Sequence, residues 1–219
     1  EFRRVLFRST VASGNTAQTI TVTGIDATTL ADGNVTVTAT HTDAAGNTKG
    51  AFTGTAATKD IVATAPNAAH VTSGGSGATA NAIDVINNAS KGAVSVDVTF
   101  ATAPEAGTVS VTLADSTSGT PLSVTGTATV ASGNSATTIT VTGIDTAASG
   151  NVLIDGPITV SATFTDTRGN VSASTTGTSA TKDVVAPTVL VVGHTNTSTN
   201  ATYKIGDTID VVLQFSEAV

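Results

Sequence analysis

Aspartate is the residue type with most chemical potential here, and it recurs in one setting. The segments TDAAGN (Thr42–Asn47) and TDTRGN (Thr165–Asn170) each place an Asp ahead of a Gly-Asn pair. A carboxylate there can accept backbone N–H groups at a tight turn, with Gly or Asn where φ is positive. The same carboxylate can ligate a hard cation, and the two roles are compatible. Asp also closes GID (Asp26, Asp145) and TKD (Asp60, Asp183).

Other chemistries find no matching residues. The dense D-x-[DN]-x-[DN]-G loop of an EF-hand is missing. Gly74–Gly77, GGSG, lacks a following Lys-Ser/Thr and reads as a flexible loop, not a phosphate cradle. His41, His70 and His194 form no spaced ligand set, and no Ser-His-Asp arrangement is recognisable. With no Cys, disulfides, thiolate zinc sites and cysteine nucleophiles are excluded. The reading is therefore not an enzyme. Three Asn sequons, at Asn34, Asn88 and Asn170, are what chance gives in a chain so rich in Asn and Thr.

The 219 residues carry 9 basic and 16 acidic side chains, a formal charge of −7. That balance excludes a nucleic-acid partner, because phosphate affinity needs clustered basic charge. No apolar run reaches the roughly 18 residues of a membrane span. Apolar residues make up 39% of the chain, enough to build a core. The opening string EFRRVLFRS (residues 1–9) holds three of the four Arg, and nothing later is like it. It resembles a translated sequencing adapter and is set aside from fold reasoning.

The remainder is internally repeated. TVASGN at Thr10–Asn15 recurs at Thr129–Asn134, and ITVTGID at Ile20–Asp26 recurs at Ile139–Asp145, both 119 positions on. Val35–Asn47 then matches Ile158–Asn170, and TKD at Thr58–Asp60 matches Thr181–Asp183, both 123 positions on. Four residues are thus inserted in the second copy, around Ala148–Gly156. A period near 120 suits a whole domain rather than a solenoid unit. Each copy closes on an apolar segment and a proline, TKDIVATAP with Pro66 and TKDVVAP with Pro187. Matching the prolines sets the units at 10–65 (the last part of one), 66–186 (complete) and 187–219 (the first strands of a third).

Inside the units the apolar period is two. Val94, Val96, Val98 and Phe100 alternate with Ser95, Asp97 and Thr99; Val109, Val111 and Leu113 do the same, as do Ile209, Val211, Leu213 and Phe215. Such strands bury one face each and need a second sheet opposite. The expected fold class is all-β, with tandem immunoglobulin-like β-sandwich domains. Gly24 and Gly143 are expected to mark a bulge that swings Ile25 and Ile144 inward. His41 aligns with Phe164, which predicts a packing role, and Phe52 aligns with Thr175.

The pattern TVTGID…TVTAT.TD..GN…TKD..AP resembles the bacterial immunoglobulin-like tandem repeats of large secreted and surface adhesins. Tyr203–Val219 resembles the opening of another such repeat. The resemblance spans nearly all of residues 10–219. It implies an extracellular chain, secreted or at a bacterial cell surface, whose repeats act as spacers or stalks. Its partners are then the neighbouring repeats, with a distal receptor the sequence does not name. The resemblance also implies calcium near the domain junctions.

Loop order in an immunoglobulin-like sandwich says which acids should gather there. Asp26 and Asp60 lie at the trailing end of one unit and should approach Glu105 and Asp166 at the leading end of the next. Asp145 and Asp183 should likewise face Glu217. Grouped carboxylates repel unless a cation bridges them, and calcium takes six to eight oxygens in flexible geometry. A binding module for a glycan or host protein is the alternative function. It would want exposed loop aromatics, and after residue 9 only Phe52, Phe100, Phe164, Tyr203 and Phe215 are available.

Overall fold

The computed structural model describes residues 5–72, 84–116, 119–150, 152–194 and 202–217. The GGSG segment lies outside them. Among the described residues there is no helix, and every element is a strand. The chain separates into two compact units. One is Glu1–Ala63 with Arg168–Asn170; the other is Thr64–Thr167 with Val171–Val219.

The first unit holds four short strands: β1 (Gly33–Val35), β2 (Thr38–Thr42), β3 (Thr48–Thr53) and β4 (Ala57–Lys59). β1 pairs with β4 and β2 with β3, both antiparallel. Apart from Ala63, no described residue of this unit is buried.

The second unit contains β5 (Pro66–Val71), β6 (Val85–Ile86), β7 (Val94–Phe100), β8 (Gly107–Asp115), β9 (Ser123–Val130) and β10 (Thr138–Ile144). It continues with β11 (Gly156–Asp166), β12 (Thr175–Thr176), β13 (Ala180–Lys182), β14 (Val189–His194) and β15 (Val211–Phe215). One sheet runs β10-β7-β5. A larger one runs β6-β13-β11-β8-β9, with β12 also on β11.

The alternation read from the sequence decides which faces meet. Val94, Val96, Val98 and Phe100 of the first sheet are buried, as are Val109, Val111, Leu113, Ile158, Val160 and Phe164 of the second. Phe100 and Phe164 touch edge to face, centroids 5.8 Å apart, so the two sheets share one core. The outward positions between them are largely Thr and Ser, which suit a solvated pleated surface. Gly143 (φ 74°) sits in a register break between Val141 and Ile144, and Ile144 is buried, as the bulge reading requires. Crowding against Ala69 fixes a different glycine: a Cβ on Gly177 would lie 2.2 Å from the Ala69 carbonyl oxygen.

The repeat is visible in the backbone. Positive φ recurs at Gly14 and Gly133 (81° and 78°), Gly24 and Gly143 (73° and 74°), Gly33 and Gly156 (121° and 128°), and Gly46 and Gly169 (91° and 89°). The offset changes between Ala27 and Leu30: Leu30 N–H donates to the Ala27 carbonyl, and Leu153 N–H to that of Thr146. The four-residue insertion is looped out within that one turn.

β14 and β15 pair in the same way as β5 and β7. Pro66 faces Phe100 and Ala69 faces Val98; Val189 faces Phe215 and Val192 faces Leu213, and both pairs carry the same bulge. Val189, not Pro187, therefore stands in the place of Pro66. The spacing is 123, as for TKD, and not the 121 that matched prolines give. The two prolines are not equivalent; Pro187 occupies the position of Thr64.

Candidate functional site

The acidic residues at strand ends hold turns, in the same way in both copies. Asp26 Oδ1 accepts Thr28 N–H at 2.8 Å and Asp145 Oδ1 accepts Ala147 N–H at 2.8 Å. Asp60 Oδ1 accepts Val62 N–H at 3.4 Å and Asp183 Oδ1 accepts Val185 N–H at 3.1 Å. These are Asx turns, a short side chain standing in for a backbone carbonyl. The hydrogen bonds from Thr28 hold Asp26 below the usual carboxylate range. Asp43 uses Oδ1 for the N–H groups of Ala45 (3.0 Å) and Asn47 (2.8 Å), and Oδ2 for the Asn47 side chain (2.9 Å). Its pKa is lowered by those same Asn47 contacts first. The turn role assigned to TDAAGN is thus met in full.

The remaining predicted site residues have individual settings. Asp60 Oδ2 also pairs with Arg168 Nη1 at 3.2 Å, and the Asp60 carbonyl accepts Asn170 Nδ2 at 3.1 Å, all within the first unit. In the second unit Glu105 clamps Thr64. Oε1 accepts its N–H at 3.0 Å and Oε2 its hydroxyl. Burial and the repulsion of Asp166 work against the charged form of Glu105. The Thr64 hydrogen bonds outweigh them and lower its pKa. Asp166 closes β11, buried and opposite Gly107. Glu217 follows β15, half-buried, with Oε1 enclosed and no hydrogen-bond partner among the described residues. Pro187, at the position of Thr64, has no N–H to repeat the Glu105 clamp.

Among the described residues, no three Asp, Glu or His side chains lie close enough to hold one metal ion. Asp60 already has a cation in Arg168, and Glu105 spends both oxygens on Thr64.

Sequence reasoning passed over the ionic groups that work hardest. Lys182, from TKD, is only 3% exposed, and its Nζ donates to Asp155 Oδ1 at 2.7 Å. Asp155 Oδ2 accepts Val184 N–H at 3.3 Å. The Lys182 hydrogen bond holds the Asp155 carboxyl below its ordinary range. In the first copy Asp32 Oδ2 accepts Ile61 N–H at the same 3.3 Å, while Lys59 caps the Leu30 carbonyl and that of Thr28. Asp115, buried at the end of β8, accepts the N–H groups of Leu122 and Ile154, each at 3.1 Å. Asp84 takes φ 72° and accepts Val71 N–H at 3.1 Å. The available signal was the D-G pair at Asp32 and Asp155, recurring at the TKD offset.

A shallow hollow lined by Asn87, Asn88, Ala89 and residues 183–186 brings no reactive set together. No protein-family model matches the chain, and no curated protein matches it.

Proposed function

We propose that the chain consists of tandem immunoglobulin-like β-sandwich repeats serving as a structural spacer in a large extracellular bacterial surface protein or adhesin. One observation carries the reading: the same turns, glycine conformations and Asp-to-backbone hydrogen bonds recur at fixed offsets in both copies. A chain that spends its carboxylates on repeated turns is built for repetition of a scaffold. The strand order supports an immunoglobulin-like topology, with three strands facing a sheet in which β13, β11 and β8 are neighbours. The junctions TKDIVATAP and TKDVVAP are short and contain proline, which restricts bending. No catalytic step is assigned to it.

Small-angle scattering of the dilute chain tests the proposal. An extended profile with a narrow cross-section is expected, and a compact, isotropic particle would defeat it. Stiffness is assigned to packing and short linkers, with calcium at the junctions as the cation the resemblance implies. Chelating calcium is therefore expected to lower the melting temperature and shorten the particle in scattering. Identical melting and scattering in calcium and in chelator would remove the cation from the proposal.

Phe52, 75% exposed on β3, is the observation that favours a glycan- or protein-binding module. Its counterpart Thr175 donates its hydroxyl to the Pro66 carbonyl of β5. A copy of β5 would therefore cover Phe52. Glycan-array or cell-binding signal that Phe52→Ala removes would establish the binding reading instead.

A further inference from the structure

Two Asp-Gly pairs stand at the same place in the two copies, Asp32-Gly33 at the entry to β1 and Asp155-Gly156 at the entry to β11. Both glycines take positive φ, 121° and 128°, and both face the lysine of TKD, Gly33↔Lys59 and Gly156↔Lys182. Aspartate ahead of glycine carries a latent reaction, because no side chain hinders the approach of the glycine nitrogen to the aspartate Cγ. The backbone is alike in the two copies. The partners of the carboxyl are not.

Asp155 is tied down at both oxygens. Oδ1 accepts Lys182 Nζ at 2.7 Å and Oδ2 accepts Val184 N–H at 3.3 Å. The ammonium holds the carboxyl ionised, and an ionised carboxylate is a poor electrophile with no hydroxyl to expel. Both bonds run to β13 and the segment after it, which keeps the carboxyl from swinging back onto the Gly156 nitrogen. Asp32 retains one of these two bonds, from Ile61 N–H to Oδ2 at 3.3 Å, and is exposed. Lys59 donates instead to the carbonyls of Leu30 and Thr28. Among the described residues Asp32 forms no ion pair. The loop ahead of Asp32 is four residues shorter than the one ahead of Asp155, and it brings those carbonyls to the lysine. The difference is local, made within residues 28–61 and 155–184.

We propose that Asp32-Gly33 is a site of spontaneous backbone isomerisation through a succinimide, and that the Lys182 contact keeps Asp155-Gly156 from the same reaction. In the first step the Gly33 nitrogen attacks Cγ of the protonated Asp32 carboxyl. The C–N bond forms, and the carboxyl OH leaves with the amide proton as water. Water then opens the ring at either carbonyl. One opening restores aspartate; the other leaves the chain running through the β-carboxyl, as isoaspartate. The water lost is regained, and nothing is oxidised or reduced. The product carries an extra methylene in its backbone at the entry to β1, which disturbs the pairing from Gly33↔Lys59 to Val35↔Ala57.

Ageing the whole chain in warm, mildly acidic buffer tests this. Isoaspartate is read by protein isoaspartyl methyltransferase labelling and placed by electron-transfer fragmentation of a digest. It is expected to form at Asp32 about tenfold or more faster than at Asp155, the factor that one charge-assisted hydrogen bond sets. In urea, where neither carboxyl is held, the two rates should converge. Lys182→Met should raise the Asp155 rate toward that of Asp32 and leave Asp32 unchanged, with β8 amide protection reporting that the sandwich is intact. Equal rates in the folded chain, a gap that persists in urea, or an unchanged Asp155 rate in Lys182→Met would overturn the proposal. Should Lys182→Met unfold, the folded-against-urea comparison of the wild-type chain decides alone.

Discussion

At Asp155 a single carboxylate joins a buried ammonium to the backbone of the segment after β13. Truncating it strands Lys182, which is 3% exposed. Breaking a buried pair costs about 3–5 kcal/mol, and Asp155 is a third exposed, so Asp155→Ala is expected to cost about 2–3 kcal/mol. Urea unfolding followed by circular dichroism checks this. Gly177→Ala forces a methyl against the Ala69 carbonyl and is expected to cost about 1–3 kcal/mol in the same assay. A cost near zero would show that β5 gives way. The lowered pKa values of Asp155 and Glu105 set the acid response. A group whose folded pKa lies below its unfolded value contributes stability above the unfolded pKa and loses it as pH falls through the folded one. From unfolded values of 3.8 and 4.5, stability should be level at neutral pH and fall below about pH 4.5. Asp155→Asn should flatten part of that fall in a thermal melt series.

Among the elements, β7, β8 and β11 were readable from alternation alone, because most of the alternating positions are Val, Ile, Leu or Phe and those residues are buried. Leu113→Ala is expected to cost about 2–5 kcal/mol, as for other fully buried leucines. The same pattern at Ile20 and Val22 was equally clear and yields no strand. Alternation states which face a strand would bury and says nothing about whether its partner is present. Hydrogen exchange should therefore protect Ile139 and Val141 amides and leave those of Ile20 and Val22 open. Equal protection in the two identical segments would contradict the strand assignment. The ionic devices were harder to read. Asp115 gains its role from contacts 7 and 39 residues away in sequence, and Asp155 and Lys182 from each other across 27 residues, which no local spacing reports. Strand register aligns Val189 with Pro66, two residues beyond the proline match, because register follows the bulge and the apolar face.

For the molecule as a whole, an acidic composition with few charges is accommodated by giving most carboxylates an N–H to accept. Net charge keeps the threonine-covered sheets apart in solution, and the turn acids lose little by being ionised. β6 and β13 are parallel, joined by Thr181 N–H to the Asp84 carbonyl (2.7 Å) and Asp183 N–H to that of Ile86 (2.9 Å). β6 lies near the start of the second unit's sandwich and β13 near its finish. Tension applied at the two ends drags these strands in opposite directions along their own length. Such bonds share the load and yield together, like a lap joint, where an antiparallel hairpin would unzip one rung at a time. The Lys182–Asp155 pair pins the same strand, so a pulled chain should hold until this joint shears.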